Sequence, residues 1–257
     1  MRKRYLFFDI DGTLLAGGYE NSYIPDSTRE AIRRLREAGH FLAIATGRSH
    51  AMAQETLQSL GFDNMVSDGG YGLTVGGELL GIRPLDKEKV VALVRECEEK
   101  GFAWALQTDD SDTRVAPDGR FAAESEDQYL KTRVVPGLRP ETQEAVYKMY
   151  VACRAPQEQS LEALKALPWM RYFPGYLFIE PMDKAVGIRA MLDHFGADYA
   201  DAVVFGDGEN DLSMFTDVWT KVAMGNAHEA LKAKADLITA DVDKDGIYLA
   251  CRSLGLI

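Results

Sequence analysis

The sequence predicts an α/β fold in which a parallel-sheet core is interrupted by a second domain. Short apolar runs, YLFF at 5–8, FLAIA at 41–45 and VVFG at 203–206, recur between amphipathic helical stretches. That is the rhythm of strand, helix and strand joined by right-handed crossovers. The rhythm breaks after Pro84 and returns at Asp183. Each of the three runs also ends in a polar residue: Asp9, Thr46 or Asp207.

The elements follow in order. After YLFFDI comes SYIPDSTREAIRRLREAGH, a helix in which Ser27 and Glu30 form a capping box, Ala31, Leu35 and Ala38 mark an apolar stripe, and Gly39 is the stop. FLAIAT reads as a buried strand, SHAMAQETLQSL as a helix, and NMVSDGGYGLTV as strand and turn. Beyond Pro84, DKEKVVALVRECEEKG is a helix and FAWALQTDD a strand, while residues 110–142 are polar and irregular. VYKMYVAC alternates like a sheet exposed on one face, APQEQSLEALKAL reads as a helix, and MRYFPGYLFIEP as further strand. From Asp183 onward, KAVGIRAMLDHFG is a helix, DAVVFGD a strand and NDLSMFTDV a helix. Hinges near Ile82 to Pro84 and Glu180 to Asp183 therefore divide the chain into a core of residues 1–82 and 183–257 and an insert of residues 83–182.

Composition narrows the function. Lys and Arg number 29 against 40 Asp and Glu, a net charge of −11. This balance argues against nucleic acid and against an anionic membrane surface as partners, since both need clustered positive charge. The basic start MRKRYLFFDID lacks the apolar length of a secretory leader, and no run approaches the roughly 20 residues of a membrane span. Cys97, Cys153 and Cys251 are widely spaced without a C-x-x-C pattern, which favours a reducing cytoplasm over a disulfide scaffold or a zinc site.

In an open parallel sheet the ligand site lies at the carboxyl ends of the strands, so Asp9, Thr46 and Asp207 are expected to converge on one crevice. Lys184 begins a helix directly after the strand LFIEP. A cation there opposes the helix dipole, which suggests an anion in front of it. Taken singly, DIDGT is compatible with an Asp-led turn, Thr46 with a helix cap, and Lys184 with a solvated surface lysine. Their joint occurrence at element ends, with Asp207, Asn210 and Asp211 leaving one strand in GDGENDLSMF, favours a functional site.

DIDGT at 9–13, ATGR at 45–48, Lys184 and GDGENDLSMF at 206–215 resemble the four motifs of the haloacid dehalogenase superfamily, and more closely those of its Cof-type phosphatases. The tail VAMGNAHEALKAKADLITADVDKDGIYLA resembles the family's closing strand, helix and loop. The resemblance implies a Rossmann-like parallel-sheet core with an inserted α+β cap domain that closes over a small substrate. Two positions depart from the family pattern: Asp68-Gly69-Gly70 stands where N-G-A is expected, and Ala185 replaces a glycine after Lys184.

Four carboxylates, Asp9, Asp11, Asp207 and Asp211, with Lys184 as their one obvious cation would repel a phosphate unless a divalent metal were bound, and an all-oxygen donor set suits Mg²⁺. The resemblance implies that Asp9 and Asp207 hold the metal through carboxylates and Asp11 through its carbonyl, with Asp211 close by. It implies that Asp9 is the nucleophile and Asp11 the general acid and base. It further implies that Thr46 and Lys184 complete the catalytic set and that these two, with Gly12, Gly47, Arg48 and Asn210, bind the phosphorylated substrate. The expected function is hydrolysis of a small phosphorylated metabolite, such as a sugar phosphate, a nucleotide or a phosphorylated cofactor, through an aspartyl phosphate. A phosphomutase or phosphotransferase using the same phosphoenzyme, or a silent phospholigand-binding protein, remain the alternatives.

Two other motifs are decoys. DVDKDG at 241–246 begins like an EF-hand loop, but its twelfth position is Arg252 instead of glutamate. In SDGGYGLTVGG, Val75 occupies the place of the third glycine of a dinucleotide loop.

Overall fold

The computed structural model describes residues 2–18, 21–127 and 129–257. The chain divides into two compact units, Met1–Arg48 with Ala53–Gly81 and Asp183–Ile257, and Ser49–Met52 with Ile82–Met182. Its elements run β1 (Tyr5–Phe8), α1 (Asp26–Glu37), β2 (Phe41–Ala45), α2 (His50–Ser59), β3 (Met65–Ser67), β4 (Gly72–Val75) and β5 (Glu78–Ile82). Then come α3 (Lys87–Lys100), β6 (Ala103–Gln107), β7 (Thr113–Ala116), α4 (Arg120–Ser125), β8 (Lys131–Val134), β9 (Lys148–Ala152), β10 (Trp169–Phe173) and β11 (Tyr176–Ile179). The chain closes with α5 (Lys184–His194), β12 (Ala202–Gly206), β13 (Thr220–Ala223), α6 (Glu229–Lys232), β14 (Leu237–Ile238) and α7 (Gly246–Ser253).

The first unit is built on a sheet of order β14-β13-β12-β1-β2-β3-β4-β5, parallel from β14 to β3 and turning antiparallel at β4. Its central strands are apolar at every position because both faces are covered, as a doubly wound sheet requires. Leu6, Phe8, Leu42, Ile44, Val203 and Phe205 pack on one side with Ala31, Ile32 and Leu35 of α1, Leu57 of α2 and Ile247 of α7. Phe7, Ala43, Ala45 and Val204 face the other side with Ile188, Met191 and Leu192 of α5.

The second unit carries a sheet of order β10-β11-β9-β6-β7-β8, antiparallel except between β7 and β8. Val90, Leu93, Val94 and Cys97 of α3 cover one face, against Trp104, Leu106, Val151 and Leu177. Phe121 of α4 with Tyr150, Tyr176 and Phe178 forms the other. Arg114 is fully buried there, paired with Asp127 and lying over the Phe121 ring at 4.5 Å.

Several local expectations are corrected. The capping box does not form: α1 begins at Asp26, so Ser27 falls inside the first turn, its hydroxyl buried with no hydrogen-bond partner among the described residues. Glu30 turns instead to Arg33 and Arg34. Ala38 lies beyond the helix and is exposed, while Ile32 joins the buried stripe. VYKMYVAC is buried on both faces as β9, because α3 covers one side and the aromatic cluster the other. Residues 110–142 contain β7, α4 and β8. APQEQSLEALKAL makes two 3-10 turns, Gln157–Ser160 and Ala163–Ala166, with Leu161 extended between them and buried alongside Leu164. NDLSMFTDV likewise forms a 3-10 segment, Glu209–Met214. DVDKDG, by contrast, agrees with its reading as a decoy, forming a turn that leads into α7.

Candidate active site

Strand register sets the site. Phe8 of β1 pairs with Phe205 of β12 on one side and with Ile44 of β2 on the other. Asp9 is therefore level with Gly206 and Ala45, and Thr46 and Asp207 lie one residue further along the same carboxyl edge. The Asp9 amide donates to the Phe205 carbonyl at 3.0 Å, which extends the ladder to the point where the chemistry-bearing side chains begin.

The loops beyond that edge are tied to one another. Gly12 adopts φ +82°, and a Cβ there would stand 2.1 Å from Asp207 Oδ2, so only glycine fits. Its amide donates to the Leu15 carbonyl and that of Thr13 to Ile10, so Gly12 contributes close approach, with its own N–H turned inward. The Thr13 hydroxyl donates to Asp207 Oδ1 at 2.9 Å. Thr46 is buried, and its hydroxyl oxygen accepts from the Arg48 amide at 3.1 Å, closing the turn through Gly47. Gly69 donates to the Thr46 carbonyl and Asp183 to that of Gly69, a backbone chain that fixes the start of α5. The Asp183 side chain caps α5 by accepting from Val186, and the Lys184 amide donates to the Ser213 hydroxyl. The two departures from the motif pattern fit this frame: Asp68 accepts from the Ser67 hydroxyl at 2.8 Å, and Ala185 is buried among the apolar residues under α5.

At the centre Lys184, only 1% exposed, places Nζ 2.6 Å from Asp9 Oδ1 and 2.5 Å from Asp211 Oδ1. Asp211 is fully buried, and its second oxygen accepts from the amides of Asp207 and Gly208 at 2.9 and 3.0 Å. Asp9, Asp207 and Asp211 each offer an oxygen within 4.8 Å of the others. Burial, then Asp211, Asp207 and Asp11, push the Asp9 carboxyl well above its usual range despite the pull of Lys184. Asp207 is pushed up to about 7, by burial and then by Asp211. Burial opposes the charge on Lys184, but Asp211 and Asp9 outweigh it and hold the ammonium above its ordinary value. Buried carboxylates in excess of their cation make a site that attracts further positive charge.

Asp11 stands apart from this cluster. Its carboxylate is 57% exposed and is gripped by both Nε and a terminal nitrogen of Arg48. Asn210 is half-buried, with Oδ1 turned back over Gly208. The sequence reading missed Asn226, whose Nδ2 donates to the Gly12 carbonyl at 2.9 Å and approaches Asp207 Oδ2 at 3.4 Å. It lies three residues after β13 on the same carboxyl edge, so the rule that singled out Asp9 and Asp207 would also have found it.

Residues 6–250 match the sequence profile of the haloacid dehalogenase-like hydrolases. YkrA of Bacillus subtilis, named for a phosphatase, is 31% identical over 265 residues, covering all of both chains. A hypothetical protein from Geobacillus kaustophilus superposes with a TM-score of 0.85 at 36% identity, covering both chains fully. The structure described as the subclass IIB sugar phosphatase BT4131 superposes with a TM-score of 0.78 at 30% identity, covering 99% of this chain and 100% of that one. The chain belongs to the haloacid dehalogenase-like hydrolases and is an enzyme of their Cof-type phosphatase branch.

Proposed function

We propose that this hydrolase uses Mg²⁺ to remove phosphate from a small phosphorylated metabolite, with Asp9 as nucleophile. The observation that carries the reading is the Lys184 ammonium held between Asp9 and Asp211, beside Asp207, on one sheet edge. The donors are hard oxygens, as Mg²⁺ prefers, and Gly12 leaves room for the Asp207 carboxylate where a Cβ would displace it. The carboxylates of Asp9 and Asp207 and the Asp11 carbonyl would hold the ion. Asp211 is fully buried and already takes the Lys184 ammonium on one oxygen and two backbone amides on the other, so Asp211 orients its neighbours. When bound, Mg²⁺ neutralises charge on the transferring phosphoryl group.

In this reading an Asp9 oxygen forms a bond to phosphorus as the ester oxygen leaves with a proton from Asp11. Water then attacks phosphorus, gives its proton to Asp11, and releases inorganic phosphate with Asp9 restored. The Thr46 hydroxyl and the Lys184 ammonium steady the phosphoryl oxygens, and Gly47, Arg48 and Asn210 line the approach. Asp11 has to leave the Arg48 fork before it can exchange protons, and an incoming phosphate is the anion that competes for that fork.

The substrate class, a sugar phosphate, nucleotide or phosphorylated cofactor, is supported by the sugar phosphatase among the similar structures and by the net charge of −11, which disfavours nucleic acid. Discrimination among these is assigned to the inserted residues 83–182, acting as a cap. Three buried thiols, Cys97, Cys153 and Cys251, support a reducing cytoplasmic setting. Among the described residues no helix is long and apolar enough to cross a membrane. Phosphate release from a panel of monoesters, with Mg²⁺ and with chelator, tests the reading. Full turnover in the metal-stripped protein would overturn it.

A further inference from the structure

We infer that Asn226 is a positioning residue for the Mg²⁺ half of the site, an inference that rests on the metal reading above. Its side-chain amide binds three separate loops. Nδ2 donates to the Gly12 carbonyl at 2.9 Å and faces Asp207 Oδ2 at 3.4 Å, while Oδ1 accepts from the Val242 amide at 2.8 Å. With every polar atom committed to protein, Asn226 acts through its neighbours.

Those neighbours are the ones a cation needs in place. Asp207 receives the Thr13 hydroxyl on Oδ1 and the Asn226 amide on Oδ2, so its carboxylate plane is set from two sides. Gly12 follows Asp11 directly: its amide, in the peptide that carries the Asp11 carbonyl, donates to Leu15, and Asn226 anchors the adjoining peptide through the Gly12 carbonyl, so the Asp11 carbonyl is held from the next link of the chain. Val242 supplies the anchor behind, from the turn before α7. Partners behind the ligands of this kind hold them in register for the metal, and losing one typically costs about 10- to 100-fold in metal affinity or activity. Asn226 is itself exposed, so replacing it does not open the core.

Isothermal titration of Mg²⁺ into wild type and Asn226→Ala, without substrate, provides the test. The expected result is a dissociation constant raised about 10- to 100-fold in the variant, with activity lost at low Mg²⁺ and returning as Mg²⁺ is raised. Asn226→Gln keeps the amide but displaces it by one methylene, and it should weaken Mg²⁺ in the same direction. Thermal melting in chelator reports any purely structural loss. Equal Mg²⁺ affinity in wild type and both variants overturns the role of Asn226 alone. A wild-type chain that binds no Mg²⁺ overturns the metal reading, and this inference with it.

Discussion

Arg48 holds Asp11 by a two-pronged bond, Nε to Oδ2 at 2.8 Å and a terminal nitrogen to Oδ1 at 2.5 Å. The pair joins the loop after β1 to the loop after β2. In the proposed reaction the substrate phosphate takes over this fork, and a lysine keeps the charge but cannot reproduce its geometry. Arg48→Lys should therefore lower kcat/KM for a phosphate monoester about tenfold, and Arg48→Ala about a hundredfold, the range of one or two charge-assisted hydrogen bonds. Steady-state kinetics decide the matter. Unchanged values would reduce the pair to an ordinary surface bridge of about 0–1 kcal/mol.

Lys184 compensates two buried carboxylates at once. Replacing it by methionine leaves Asp9 and Asp211 without their cation, and removal of one partner from a buried ionic cluster costs about 3–5 kcal/mol. Lys184→Met should lose turnover and show that loss in urea denaturation of the metal-free protein. A loss below about 1 kcal/mol would mean that the cluster is not the buried network described.

The proposed division of labour in DIDGT is separable. Asp9→Asn should abolish catalysis. Asp11→Asn keeps the backbone carbonyl but loses proton transfer, which costs about 10² to 10⁴ in rate. With an aryl phosphate, whose leaving group needs little protonation, the first step suffers less than the second. Phosphoenzyme then accumulates, and mass spectrometry should find one phosphoryl group on the peptide containing Asp9. Label on another peptide, or an active Asp9→Asn enzyme, would refute the assignment.

His40 links the two ends of the core unit: Nδ1 accepts from the Arg4 amide at 3.1 Å, and Nε2 lies 3.2 Å from the Leu256 carbonyl. A ring that accepts at Nδ1 has to be neutral. Burial lowers its pKa, with Arg4 adding to the effect and the Leu256 carbonyl opposing it. The folded value thus lies below the unfolded value of about 6.5. Below that pH the unfolded chain takes up the proton first, so stability is full above about 6.5 and falls as pH drops toward the folded value. Urea midpoints at pH 7.5 and 5.5 should diverge more for wild type than for His40→Gln. Equal divergence would clear His40 of the effect.

The sequence by itself determined the fold class and the edge on which the polar residues gather. Apolar runs such as YLFF and FLAIA, too short for helices and set between amphipathic helical stretches, read as strands covered on both faces, and a polar residue that ends such a run then falls at the carboxyl edge. Lys184 was legible for the same local reason, as a cation at a helix start. Tertiary structure decided how the charges pair. Asp9 and Lys184 are 175 positions apart, and a period of two or 3.6 carries no information about such a partner. The engagement of both Asp211 oxygens, the Arg48 fork on Asp11 and the three bonds of Asn226 arise from loops that meet only after the sheet has set their height. The capping box at Ser27 fails because α1 already starts one residue before it, at Asp26 after Pro25, and the broken helix at 157–166 arises because burial of Leu161 and Leu164 outweighed local propensity.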